Sequence, residues 1–370
     1  MTAILEHKPD WLSPPGDSIA SILEERCWTE AVFAKKSGLD INQVKQLVCG
    51  KAAITSPIAL TLSRVLGSTV RFWLVREADY RAGLRLLEET NGLRKRADWL
   101  NQFPISEMVN RELIPKRRRT AESKPAVVED LLRFFCVASP EIWKKNYTQL
   151  QASFRRSSGD LRGNLGAISV WLRAGERVLE KKAYSPNRYT AKGFKAALLK
   201  IRNLTVERPE SFEPKLKKLC CEAGVNLVLI PTIRSARVSG VARWIDSQKP
   251  LIQLSPYGKT NDRFWFTFFH ESAHILLHKE KQTVFLDSDS HHSEGNRQEQ
   301  EADNFAANML IPKEHLAELR SLPHTKTAVQ AFAKRIRIHP GIVVGRMQHE
   351  NALPYRTLLN DLKASFTFKN

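Results

Sequence analysis

RFWFTFFHESAHILLH, residues 263–278, and EQEADNFAANMLIP, residues 299–312, are the stretches on which the fold and chemistry of the C-terminal third turn. Helix residues four apart share a face, so His270 and His274 can aim imidazole nitrogens at one zinc ion. Glu271 lies one step round, placed to take a proton from water that the metal acidifies and to pass it to a leaving amine. A catalytic zinc needs a third protein ligand and an open position. The second stretch supplies a carboxylate: Glu299 as metal ligand, with Asp303 four residues on to orient a ligand histidine from behind. Glu301 lies on another face and is the second choice. Two histidines and one glutamate favour zinc, with manganese or iron as the other options. Flanking Phe266, Phe268, Phe269, Leu276 and Leu277 set the pair against a core.

Working outward, Val225–Ile230, Ser239–Ile245 and Leu251–Leu254 read as short strands bounded by Gly224 and Pro231 and by polar segments. The motif helix begins near Asp262. Asp287–Gly295 reads as a polar surface loop, and its His291 and His292, like nearby His278, read as bland. His315, His339 and His349 show no partner pattern.

A chain of 370 residues and 42.2 kDa exceeds what one core usually organises. With 42% hydrophobic and 26% charged residues it should fold as ordinary globular domains. No internal repeat is apparent. Neither a membrane-length apolar run nor a signal-like N-terminus is present, which predicts a cytoplasmic protein with no membrane partner. Five cysteines without CxxC spacing argue against disulfides and cysteine-bound zinc. The net charge of +19 favours polyanion partners. Residues 116–218 hold most of it, with 24 basic and 10 acidic residues for a net +14.

The N-terminal region reads as a run of short helices. Asp17, Thr29 and Asp40 are N-cap candidates, Ser56 with Pro57 opens a fourth helix, and a longer one runs from Val70 towards Leu87. Ala34, Gly38, Val44 and Leu47 have the spacing of two helices packed across a tight turn. With those four inward, Asn42, Gln43, Lys45 and Gln46 project from the second helix as base-edge readers, while Lys35, Lys36 and Lys51 suit phosphates. The plainer alternative is a small helical bundle in which Gly38 merely ends a helix.

A linker is expected around Ile114–Pro125. Residues 116–210 read as a helical, basic connector. A sharper alternative puts Arg117–Arg119 and Arg155–Arg156 on nucleic-acid phosphates. Trp143, Tyr147, Phe154 and Trp171 have helical spacing that suits a core better than base stacking.

The segments PGDSIASILEE, TEAVFAKKSGLDINQVKQLVCGKAAIT and SPIALTLSRVLG, within residues 12–85, resemble the five-helix domain of XRE-type regulators, particularly HigA-type antitoxins. That resemblance implies a homodimer on a double-stranded DNA operator with half-sites about 34 Å apart. Residues 211–315 resemble the ImmA/IrrE family of zinc metallopeptidases; Phe305, Ala306 and Ile311-Pro312 match its trailing pattern. This implies zinc held by His270, His274 and Glu299, with Glu271 catalytic, and a repressor or antitoxin as protein substrate. The expected architecture is multidomain: an all-α helix-turn-helix domain over 1–90, a helical basic connector over 91–210, and an α+β gluzincin-like domain over 211–370. The expected function is a DNA-binding regulator of antitoxin or repressor type, carrying a zinc endopeptidase domain that cleaves or senses a regulatory protein. Two rivals stand beside it. One is a non-catalytic antitoxin or repressor whose peptidase-like domain binds only a ligand or toxin partner. The other is an enzyme whose N-terminal helices only dimerise.

Overall fold

The computed structural model describes residues 12–118, 120–148, 164–181, 187–236, 238–245, 248–255, 260–278, 285–288 and 297–365. Arg119, Arg155, Arg156, Phe154, His291 and His292 lie outside them. The chain divides into two compact units, residues 1–97 with 120–126, and residues 98–119 with 127–370.

In the first unit five helices follow one another: α1 (Pro15–Glu25), α2 (Glu30–Ser37), α3 (Ile41–Val48), α4 (Ser56–Leu66) and α5 (Val70–Lys95). Thr29 caps α2 by accepting from the Val32 N–H, and Asp40 caps α3 by accepting from Asn42 N–H at 2.8 Å, each satisfying an end group the helix cannot pair internally. Asp17 is not the cap of α1. That helix opens at Pro15, whose fixed φ and missing N–H suit a first turn, and Asp17 sits inside that turn. Ile19, Leu23, Phe33, Val44, Leu47, Ala59, Leu62, Leu66 and Trp73 close one apolar core.

The second unit holds α6 (Ile105–Asn110), α8 (Leu165–Glu180), α9 (Ala191–Arg202), α10 (Pro209–Glu222), α11 (Asn261–Leu277), α12 (Arg297–Leu310), α13 (Leu316–Arg320), α14 (Lys326–Ile336) and α15 (Pro340–His349). The helix α7 (Lys124–Phe135) crosses the division in sequence. Strands β1 (Asn226–Leu229), β2 (Val238–Trp244), β3 (Pro250–Leu254) and β4 (Phe285–Ser288) form a sheet in the order β1-β3-β2-β4. The β1 strand runs parallel to β3, with Leu227 opposite Ile252, and β2 runs antiparallel to both β3 and β4. This is the helical and α+β architecture the sequence leads one to expect. One detail is corrected: Asp287 and Ser288 lie in β4 rather than in a surface loop. A four-residue strand is too short to show period-2 alternation.

The core of this unit joins Leu227, Ala242, Ile252 and Leu254 of the sheet to Phe264, Trp265, Phe268 and Phe269 of α11, and to Val329, Phe332, Val343 and Val344 of α14 and α15. Helices from the stretch read as a connector contribute as well. Phe194, Leu198 and Ile201 of α9 belong to the same core. Trp171 of α8 is fully buried and donates to the Ile230 carbonyl, while its own carbonyl accepts from Gln253. Trp143 and Tyr147 are buried among Trp99, Phe103 and Phe135 with edge-on ring contacts, so these aromatics are core.

Although the sequence shows no repeat, the backbone uses one turn twice. After α2 comes left-handed Gly38, one intervening residue, and the cap Asp40 of α3. After α14 comes left-handed Arg337, one intervening residue, and the cap His339 of α15.

Candidate metal centre and nucleic-acid interface

Two helices build the centre. Within α11, His270 and His274 lie one turn apart with 5% and 2% of their surface exposed, and Glu271 between them is wholly buried. The aromatic run Phe264–Phe269 fixes this orientation, because burying it against the sheet and α15 turns the motif face towards α12. Glu299 stands in the first turn of α12, where the unpaired N–H groups favour a carboxylate, and Asp303 follows one turn later.

The side chains of His270, His274 and Glu299 converge. His270 Nε2 and His274 Nε2 are 3.0 Å apart, and Glu299 Oε2 lies 3.2 Å from the first and 3.7 Å from the second. Asp303 Oδ1 is 2.9 Å from His270 Nδ1, on the far side of the ring from the cluster. Glu301, the second choice, does not reach the cluster. It pairs with Arg297 and lies 3.4 Å from His278.

Burial lowers the His274 imidazole more than the Glu299 contact raises it, bringing it down to about 4. Burial raises the Glu299 carboxyl, but its contacts with His270 and His274 outweigh that and hold it down at about 2. Near neutral pH the centre therefore offers a neutral imidazole and a carboxylate, the protonation states a divalent cation requires. His270, His274 and Glu299 each offer one ligand atom, all within 4.8 Å of one another, and no other such group occurs among the described residues. The other Glu299 oxygen, Oε1, is buried with no hydrogen-bond partner among them. Two imidazole nitrogens and one carboxylate whose second oxygen is buried without a hydrogen-bond partner fit zinc by donor type.

Gly240 of β2 is a residue the sequence reading missed. A β-carbon there would stand 2.7 Å from Glu271 Oε1 and from Thr267 Cγ2, so only glycine lets the strand pass this close to the motif helix. A glycine inside a strand run was the available signal. His278, set aside as bland, is 6% exposed and meets His274 Nδ1 at 2.8 Å.

In the first unit Val44 and Leu47 are buried, and Gly38 takes φ 72° at the turn. Asn42, Lys45 and Gln46 are exposed on α3, with Gln43 half-buried. Lys35, Lys36 and Lys51 are exposed, and Lys36 Nζ lies 4.7 Å over the Trp28 ring. Of the four residues read as inward, Val44 and Leu47 are buried, but Ala34 is only partly so and Gly38 is exposed; the buried residue of α2 is Phe33, because Gly38 closes the helix at the surface turn. In the second unit Arg117 is ion-paired with Asp130, so this arginine of the basic run is engaged within the protein.

Residues 227–347 match the family model of the IrrE N-terminal-like domain, Peptidase_M78. Two solved structures are similar over the N-terminal region. A putative antidote protein of a plasmid maintenance system from Nostoc punctiforme is 28% identical, over 22% of this chain and 88% of that one, with a TM-score of 0.21. An addiction module antidote protein of a HigA family from Coxiella burnetii is 26% identical, over 23% of this chain and 92% of that one, also at 0.21. No curated protein matches. No helix among the described residues is long and apolar enough to cross a membrane. Over the span that contains His270, Glu271, His274, Glu299 and Asp303, the chain is thus similar to the IrrE N-terminal-like, peptidase M78 family.

Proposed function

We propose that this chain is a DNA-binding transcriptional regulator of the antitoxin or repressor type whose second unit is a zinc-dependent endopeptidase acting on a regulatory protein. The observation that carries the reading is the convergence of His270, His274 and Glu299 beside a wholly buried Glu271. His270 Nε2, His274 Nε2 and a Glu299 oxygen would hold the zinc, and Asp303 would accept from His270 Nδ1–H, fixing the tautomer that leaves Nε2 free to ligate. A bound zinc supplies Lewis acidity, polarising a peptide carbonyl and acidifying water. Glu271 takes the proton of the attacking water on its carboxylate and delivers it to the departing amine nitrogen, while Gly240 leaves that carboxylate its room.

In the first unit α3 presents Asn42, Gln43, Lys45 and Gln46 to base edges, with Lys35, Lys36 and Lys51 on flanking phosphates. A homodimer would set two such helices about 34 Å apart on a double-stranded operator. Its place of work is the cytoplasm, where operator and substrate protein are both accessible.

The reading is tested by adding zinc-loaded wild type or Glu271→Gln to a cell extract and labelling new protein N-termini. Termini produced by the wild type and lost in the variant, by a factor of roughly 100 or more in rate, support a peptidase that uses Glu271. Identical termini with both proteins contradict it.

A further inference from the structure

His278 and Glu301 lie outside the proposed ligand set, yet they continue it. His278 closes α11 one turn after His274, and its backbone N–H donates to the His274 carbonyl. The two rings lie 4.9 Å apart, tilted by 46°, and their Nδ1 atoms meet at 2.8 Å. On its other side His278 Nε2 lies 3.4 Å from Glu301 Oε2. Glu301 spends its second oxygen on Arg297, at 2.8 Å. The result is a line of side chains from Arg297 and Glu301 on α12, through His278, to His274 on α11.

The protons along this line have a consistent order. A histidine that ligates through Nε2 carries its proton on Nδ1. The Nδ1–H of His274 then donates to His278 Nδ1, which must be the bare nitrogen of that ring. The remaining ring proton of His278 is on Nε2, which lies within ion-pair reach of the Glu301 carboxylate at 3.4 Å without closing a hydrogen bond to it. The His274–His278 contact thus pairs one donor with one acceptor, and each ring is left with one tautomer. His270 has its own orienter in Asp303, so both ligand histidines are held from behind, one by a carboxylate directly and one through a second imidazole.

We infer that His278 is a positioning residue of the metal centre: its bare Nδ1 holds the His274 Nδ1–H, and the nearby Glu301 carboxylate favours the His278 proton on Nε2, so that His274 keeps Nε2 aimed at the ion. This rests on the metal-centre reading above. It also explains a buried imidazole at a helix end where any residue of extended backbone would serve.

The test measures Zn²⁺ affinity by chelator competition and the visible bands of the Co²⁺-loaded protein, for wild type, His278→Leu, His278→Asn and Glu301→Gln. Asparagine places its carbonyl oxygen where His278 Nδ1 stands and can still accept from His274. His278→Leu should weaken Zn²⁺ binding by roughly 10- to 100-fold and shift the Co²⁺ bands, His278→Asn should restore most of both, and Glu301→Gln should weaken binding in the same direction by a smaller factor. Glu301 is 42% exposed and half-removed from the core, so that variant and His278→Asn carry the test if the leucine chain does not fold. Wild-type affinity and spectrum in His278→Leu would overturn the inference while leaving the metal centre standing, as would an asparagine variant as weak as the leucine one. A wild-type chain that binds neither ion would overturn both.

Discussion

The two helix pairs that share a turn have opposite fates. In α2–α3, Phe33 is buried and Ala34 partly so; the Gly38 N–H returns to the Ala34 carbonyl, and Asp40 accepts from the amide two residues on. In α14–α15, Phe332 and Ala333 are buried, the Arg337 N–H returns to the Ala333 carbonyl, and His339 accepts from the amide of Gly341. The second helices then diverge. Asn42, Lys45 and Gln46 of α3 face solvent, whereas Gly341, Ile342, Val343 and Val344 of α15 are all buried. Turn chemistry sets how one helix follows another. The composition of the second helix decides whether it is offered to a partner or spent on the core, here as support for α11, which carries His270 and His274.

Val44 of α3 and Val343 of α15 stand at equivalent positions after their caps, and the residues one step further on, Lys45 and Val344, should differ most in their response to exchange. Val344→Lys should cost the second unit about 3–5 kcal/mol, because it buries an ammonium with no partner, and thermal or urea unfolding should show a collapse in stability. The mirror change Lys45→Val should alter stability by less than about 0.5 kcal/mol. Equal effects of the two would mean that α3 is not a free face.

Next in size is the double change Gln43→Ala, Lys45→Ala. Operator binding measured at fixed salt should weaken by about 2–4 kcal/mol with the melting temperature of the first unit unchanged. Undiminished binding would assign these helices to dimerisation alone.

The turn residues come third. Gly38→Ala should destabilise the first unit by about 1 kcal/mol: a β-carbon there meets nothing within 4 Å, so the cost is that of the left-handed backbone itself. Arg337→Gly at φ 57° should stabilise the second unit by somewhat less than about 1 kcal/mol, since glycine relieves the same strain but adds unfolded-state entropy. Paired equilibrium unfolding curves of the variants check both signs.

The smallest effect is a pH dependence. Burial lowers the His339 imidazole, with Asp262 opposing, while its Nδ1 meets the Asn261 amide at 2.5 Å and the Gly341 N–H. Its stabilisation is complete above the ordinary histidine range and is lost as pH falls through it, because the unfolded chain takes the proton first. Between pH 7 and 5 the second unit should therefore lose more stability in the wild type than in His339→Asn, as measured by melting temperature; parallel curves would contradict this.

Much of this was legible in the sequence because it rests on short-range spacing. Four-residue spacings brought His270, His274, Glu299 and Asp303 onto facing helix sides, and cap residues at 29 and 40 bracketed the first helix pair. What escaped depends on tertiary approach. Gly240 matters only because β2 crosses Glu271, and His278 only because α12 brings Glu301 to its far side. The second turn was hidden because Arg337 and His339 do the work of a glycine and an aspartate, and the likeness lies in dihedral angles rather than letters.

On the proposed reading, α11 and α12 together hold one zinc ion. Elemental analysis of the purified chain under non-chelating conditions tests it most directly, with His270→Ala and Glu271→Gln alongside. One zinc per chain in the wild type and in Glu271→Gln, and its loss from His270→Ala, is the predicted result. A wild type without metal, or a His270→Ala chain that keeps a full complement, would contradict it.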